Sequence, residues 1–312
     1  MNTGYNPSLV KTAIDEVFYG EYDRESEPQE VLATNPIFFK QSQTDRGAVI
    51  SEEYEGPGAF EVHVEEEEIK QATIRTGNQK THTVLNYKKG VKIPVEFYED
   101  DMHDAVNQTI AKFGMRARTS RDKYAYELSY GNAFSVTTSD AVALISNSHT
   151  LMSGDTLDNL ETGTLTPANL ETIIKSLRLQ KAQDGELGGH NAAGLLVPPA
   201  LFPDAIEFAG SELKPDVTDN NLNYFSRIYP GMVVGTSAYL DSTYNSLNSN
   251  ANTSYFVVSR NHTIMRWVRK SLTTSLVPPD TDDQDRYHYK ARYREVVSVV
   301  SPEGIVGSNG TV

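Results

Sequence analysis

The residues able to do chemistry in this chain are scattered. Its seven histidines are His63, His82, His103, His149, His190, His262 and His288. None forms the helical i, i+4 pair that holds zinc, and none stands in metal-ligand spacing with an acid. There is no cysteine, so no thiolate nucleophile, cysteine zinc site or disulfide framework. No Gly-x-Ser-x-Gly elbow, phosphate-binding loop or dinucleotide fingerprint occurs. Gly185 to Gly189 is glycine-rich but lacks a strand before it and a helix after it. The run Glu65–Glu68 carries oxygens suited to calcium. Adjacent strand residues point to opposite faces, however, so the four cannot converge on one ion. A solvated or docking role fits them better. No catalytic, cofactor-binding or metal residue is expected, no cofactor, and no enzyme.

The elements that would have positioned a site are clearer. Met102, Val106, Ile110, Phe113, Ala117, Tyr124 and Leu128 recur at spacings of three, four or seven, an apolar stripe at the helical period. The acids Glu99, Asp100, Asp101 and Asp104 crowd its start, where the helix dipole favours negative charge, and Gly131-Asn132 marks a stop. The pattern predicts a helix over about 101–130, a rod of roughly 45 Å. Before it, Phe60 to Glu65 alternates apolar and polar residues, the mark of a half-buried strand. Thr76 to Gln79 reads as a turn and Thr81 to Tyr87 as the return. This hairpin has few large apolar residues, and an isolated two-stranded hairpin is marginal in water. Residues 1–45 read as an extended arm with a short amphipathic turn around Leu9, Ala13, Ile14 and Val17.

After the helix, Val136 to Thr164 reads as a polar linker. Thr166 caps a second helix with Pro167 at its first position; Leu170, Ile173, Ile174 and Leu177 are its buried face. Leu195-Leu196-Val197 is a strand stopped by Pro198-Pro199, and Ala200 to Ala209 a short helix. Tyr229 to Gly235, Tyr255 to Val258, Ile264 to Val268 and Tyr287 to Val300 read as strands. Ser242 to Ser254 reads as a mobile loop.

No apolar run is long enough to span a bilayer, and the N-terminus lacks a secretory pattern. The composition fits synthesis in a cytosol. The net charge is −14, and residues 1–68 hold 16 acids against 4 bases. The middle of the long helix reverses this, with Lys112, Arg116, Arg118, Arg121 and Lys123 against Asp122; Arg260 to Arg294 is also locally basic. The acidic N-terminal part is therefore expected to dock on basic surface elsewhere, including on another copy. Glu52, Glu53, Glu55 and Glu65, Glu66, Glu67 and Glu68 on one side, and Lys112, Arg116 and Arg121 on the other, are the interface candidates.

The order of these segments resembles the major capsid proteins of tailed bacteriophages, the Hong Kong 97-type fold, and most closely the Mu-like major head subunits. Val91-Lys92-Ile93-Pro94-Val95 leading through acids into the long helix is similar to that family's strand and spine helix. Leu165 to Leu170, then Asp184-Gly185 to Leu201, resembles the Mu-like head subunits. Gly231 to Val234 with Tyr255 to Val258 resembles the axial strands, and Tyr287 to Glu303 the closing peripheral strand. The resemblance implies an α+β chain: an N-terminal arm (1–45), an extended β-hairpin loop (46–85), a peripheral domain (86–189) with the spine helix, an axial domain (190–285), and a return strand to the peripheral domain with a C-terminal tail (286–312). It implies an icosahedral shell of pentamers and hexamers enclosing double-stranded DNA, with an encapsulin-like compartment, or less readily a mixed α+β enzyme, as the alternatives. Implied partners are other copies of the chain, a separate scaffolding protein, a maturation protease, a portal, an optional decoration protein and non-specifically contacted DNA, with no membrane. The implied location is the virion, after assembly in the host cytoplasm. Some members cross-link a loop lysine to a neighbour's asparagine. Lys70 and Lys80 lie in the hairpin here, but nothing marks the partner asparagine, so a non-covalent shell is expected.

Overall fold

Two sheets bridged by one helix organise the chain. The computed structural model describes residues 7–24, 30–65, 68–69, 71–73, 75–100, 104–210, 224–279 and 285–311. In order these form α1 (Pro7–Tyr22), β1 (Lys40–Gln43), β2 (Ala48–Tyr54), β3 (Thr76–Thr83), β4 (Leu85–Pro94), α2 (Val95–Glu99), α3 (Ala105–Glu127), β5 (His149–Thr150), β6 (Thr156–Leu157), β7 (Leu160–Glu161), α4 (Pro167–Leu179), β8 (Ala192–Val197), α5 (Phe202–Gly210), α6 (Tyr224–Ile228), β9 (Val233–Thr236), β10 (Tyr255–Ser259), β11 (Met265–Val277), β12 (Arg286–Ser298) and β13 (Ile305–Ser308).

The first sheet has the order β1-β11-β12-β4. β12 shows why it forms. Tyr287, Tyr289, Ala291 and Tyr293 are buried, while the residues between them are not, the period-two pattern of a strand covered on one face. The cover is a layer of α1 and α3, with Val10, Ile14 and Phe18 meeting Ile110, Phe113 and Tyr289. The Phe18 ring packs edge-on against Phe113 at 5.3 Å and Tyr289 at 5.7 Å. Tyr289 Oη and Thr274 Oγ1 both donate to Asp15 Oδ1, at 2.6 and 2.7 Å. Gly114 lets the helices cross this closely: a Cβ there would lie 2.3 Å from the Phe18 carbonyl oxygen.

The second sheet has the order β7-β13-β10-β8-β9, with parallel pairing only at its two edges. Both faces are covered, so β10 is buried throughout and reads as a continuous apolar run. One face packs on Phe38, Phe39, Tyr126 and Tyr130. The other packs on α4 and α5 through Leu170, Ile173, Leu177 and Ala205. Thr166 caps α4, its hydroxyl accepting from the Asn169 N–H at 3.2 Å. α3 joins the two bodies. Its first half lies in the α1 layer, whereas Ala125 and Tyr126 belong to the second sheet's core. Tyr126 Oη donates to the Val31 carbonyl at 2.8 Å and Tyr130 Oη to that of Phe38 at 2.9 Å, fixing the segment that precedes β1.

Several expectations need correction. The long helix is shorter than 101–130: α3 spans 23 residues, about 34 Å, and α2 stands apart from it. Asp104 takes a left-handed conformation at its start (φ 56°), which an aspartate tolerates better than most residues. Residues 101–103, including Met102 and His103, lie outside the described set. The stripe also rotates, leaving Tyr124 exposed and burying Arg121, Asp122, Ala125 and Tyr126. Residues 7–22 are a docked helix rather than an extended arm, because Val10, Ile14 and Phe18 make a stripe at helical spacing. Phe60 to Glu65 is not a strand, since no strand among the described residues forms a ladder with it; Thr76 to Gln79 is not a turn but the start of β3. The stretch 136–164 is no mere linker: it buries Leu144, Ile145, Leu151 and Leu157 and holds three short strands. Within 242–254, Asn245 is buried and donates to the Gly131 carbonyl at 2.7 Å. Finally β13 is no tail on the first sheet. It lies between β7 and β10 in the second, where α4 packs as well.

Candidate functional site

The feature left without an internal purpose is the loop between β2 and β3. Its base is built firmly. β2 and β3 pair in antiparallel register from Ala48↔Thr83 to Tyr54↔Thr76. Val49 and Val84 pack with Val296 and Trp267. Lys80 Nζ donates to the Thr137 carbonyl, and Gly77 sits so close to Met152 that a Cβ would fall 2.6 Å from Sδ.

Acids gather at this base. Burial pushes the Glu53 carboxyl up, opposed by a hydrogen bond with Ser139 and reinforced by the charge of Asp140. Burial pushes Glu303 up to about 7, with Gln183 opposing and Glu53 and Asp184 adding to the rise; its Oε1 has no hydrogen-bond partner. Beside them the buried His149 donates from Nδ1 to Asp140 Oδ2 at 2.7 Å. Burial raises the Asp140 carboxyl too, but donors from Thr138, His149 and the Val142 N–H together hold it below its ordinary value. Among the described residues, no grouping of three or more potential ligands is positioned for a metal ion.

Beyond the base the apolar side chains are uncovered among the described residues. Phe60 and Val62 are 103% and 94% exposed, with Tyr54, Val64 and Ile69 exposed as well. A single exposed apolar residue means little, but a run of them marks an interaction surface.

The acidic candidates divide accordingly. Glu52 accepts from Gln79 Nε2 at 2.7 Å and Tyr54 Oη at 3.0 Å, and Glu55 pairs with Arg75 at 3.4 Å. Glu53 is buried in the base, not held out to a neighbour. Glu65 and Glu68 are exposed and unpaired among the described residues; Glu66 and Glu67 lie outside that set. Of the basic candidates, Lys112 and Arg116 on α3 are exposed and form no ion pair among the described residues. Arg121 is different. It is buried, pairs with Asp122 at 3.2 Å, donates to Tyr22 Oη at 3.0 Å and lies 5.2 Å over that ring, so it is committed within its own subunit. One basic group, within the locally basic stretch Arg260 to Arg294, lies outside the interface candidates. Lys290, Arg292 and Arg294 of β12 share a face with Lys88 and Lys92 of β4, and the alternation in Arg286 to Arg294 was the available signal.

No helix among the described residues is long and apolar enough to cross a membrane. No curated protein sequence matches the chain. Solved structures do. The virus-like particle from Pyrococcus furiosus shares 12% identity at TM-score 0.54, covering 95% of this chain and 98% of that one. The capsid of Myoviridae phage XM1 shares 10% at 0.53, covering 92% and 94%. The Cyanophage Pam1 capsid shares 11% at 0.55, covering 91% and 95%. These likenesses show the Hong Kong 97-like fold. The sequence profile described as phage capsid protein matches residues 79–308, most of the chain, from within β3 to the end of β13. The chain therefore belongs to the phage capsid protein family, and it is a major capsid shell protein.

Proposed function

We propose that this subunit self-assembles into an icosahedral head of pentamers and hexamers around double-stranded DNA, with a geometric rather than catalytic role. The observation that carries this reading is the loop of residues 55–65: firmly seated at its base, with the apolar side chains of Phe60, Val62 and Val64 exposed in the lone chain. Such a segment finds its cover on another copy. In this reading the first sheet with α1 and α3 is the peripheral domain and the second sheet with α4 to α6 the axial domain. The acidic loop meets basic surface of the next subunit, to which Lys112 and Arg116 contribute. Scaffold, maturation protease, portal and any decoration protein are separate partners, DNA is contacted non-specifically, and the subunit passes from host cytoplasm to virion. The shell is non-covalent, since Lys80 is spent on the Thr137 carbonyl; Lys70 lies outside the described residues.

Electron microscopy of the purified protein, alone and with its genomic neighbours, tests this. Large closed shells holding nucleic acid are expected, and denaturing gels of them should show single chains, not a ladder of multimers. Monomers under all conditions would end the shell reading. Small shells filled with protein would favour an encapsulin-like compartment, a reading supported by the likeness to the Pyrococcus furiosus particle.

A further inference from the structure

β12 has two faces of opposite character. Its tyrosines turn toward α1 and α3, and Arg286, His288, Lys290, Arg292 and Arg294 stand on the other side. Antiparallel pairing sets Lys88 of β4 opposite Arg292 and Lys92 opposite His288. Gly90 stands opposite Lys290, whose stem lies over it: a Cβ on Gly90 would be 3.2 Å from Lys290 Cγ. On the other flank β11 supplies Thr273, Ser275 and Val277 as the cross-strand neighbours. No aspartate or glutamate occurs at these face positions. Lys88, Lys92, Lys290 and Arg292 are all exposed, and none is ion-paired among the described residues. Like charges directly opposite each other across a strand pair destabilise it, so a lone subunit carries self-repulsion here that an anionic partner would relieve.

We propose that this basic sheet face, more than α3, receives the acidic loop of a neighbouring copy, around Glu65 to Glu68. The proposal rests on the shell reading and adds to it the surface on which the loop lies. Charge complementarity within one sequence supports it. The loop carries the run Glu65–Glu68, with Glu65 and Glu68 exposed and unpaired among the described residues. On α3, by contrast, Arg121 is buried, Arg118 donates to the Arg24 carbonyl and Lys123 pairs with Glu127, which leaves Lys112 and Arg116 as its exposed, unpaired cations among the described residues. Reach agrees: the residues from Tyr54 to Glu65, extended, span about 35 Å, enough to leave the parent subunit. Chemistry agrees as well. The methylene stems of Lys88, Lys92 and Lys290 can cover apolar side chains such as Val62 and Val64 while their ammonium groups meet carboxylates. The rival polyanion, double-stranded DNA, would be met by the same lysines and arginines through its phosphates. The chain's net charge of −14 weighs against that rival.

Charge exchange tests the assignment. Lys290→Glu with Arg292→Glu should cut particle yield about tenfold at low salt, with the subunit's melting temperature unchanged. Replacing all of Glu65–Glu68 by Lys should do the same, and combining the two sets should restore particles. Because the chain has no cysteine, Glu68→Cys with Arg292→Cys gives a second readout that does not depend on charge-reversed variants folding: oxidised particles should yield disulfide-linked multimers on non-reducing gels. A charge-reversed sheet that assembles like wild type, a combination no better than its parts, or particles without the cross-link would each overturn the assignment. Normal shells that lose only their DNA would mark a nucleic-acid surface and also overturn it. Wild-type protein that never forms shells would instead refute the shell reading itself.

Discussion

β12 and the segment from Phe60 to Glu65 share one sequence pattern, apolar and polar residues in strict alternation, but they have opposite outcomes. In β12 the alternation is realised as a strand. Its tyrosines are buried under two helices, and both of its edges are paired, by β4 and β11. In the loop the same alternation forms no strand, and its apolar residues face solvent. Alternation thus specifies that one side of a segment will be covered, not who covers it. For β12 the cover lies within the subunit; for the loop it is assigned to a neighbour.

The sharpest way to break this contrast is to truncate both sides of it in the unassembled subunit. Tyr289→Ala removes a fully buried ring and a partner of Asp15, and should cost about 3–5 kcal/mol in urea unfolding. Gly114→Ala presses a methyl group against the Phe18 carbonyl and should cost about 1–3 kcal/mol, with faster hydrogen exchange in α1 but not in α4. A normal melting temperature for Gly114→Ala would mean that the helical cover of β12 is not held by that crossing.

The base of the loop gives a smaller effect with a sign in pH. Glu303 is raised from its ordinary 4.5 to about 7, so between these values the folded subunit holds more protons than the unfolded chain. Stability from this group is full below about pH 4.5 and is lost as pH rises through 7. Glu303→Gln should match wild type near pH 4 and exceed it by about 1–2 kcal/mol near pH 8; the opposite trend in melting temperature would show that the carboxylate is the favoured form there. Phe60→Ala should be the least costly, within about 0.5 kcal/mol in the lone subunit, while lowering particle yield. A large loss of subunit stability would mean that the loop is covered by its own chain after all.

What was legible in the sequence follows the same division. The four buried positions of α4 and its Thr166 cap, the strands β8, β10 and β12, and the stop at Pro198-Pro199 all rest on local signals, and all are present. The features misread depend on distant partners. β1 pairs in parallel with β11, more than two hundred residues away. β13 is four residues long and gains its identity from the strands beside it. Among the interface candidates, exposure of Glu65, Glu68, Lys112 and Arg116 agrees with charge patterning, but the burial of Glu53 and Arg121 does not. Arg121 was hidden because its partners include Tyr22, which no spacing rule connects to it. The basic face escaped for a related reason: alternation sets Arg286, Lys290, Arg292 and Arg294 on one side of β12, but only register brings Lys88 and Lys92 of β4 beside them.

β13 has one more consequence, in the timing of synthesis. It is the last strand among the described residues, yet it sits inside the second sheet, hydrogen-bonded to β10 on one side and β7 on the other. Its Ile305 and Val306 enter the cores on opposite faces of that sheet. A chain still emerging from the ribosome therefore carries an open gap between β7 and β10, with unpaired strand edges that invite misassociation. Two-sided burial in the second sheet is completed only once β13 has emerged, so a chain cut before β13 lacks the finished body on which shell contacts would be built.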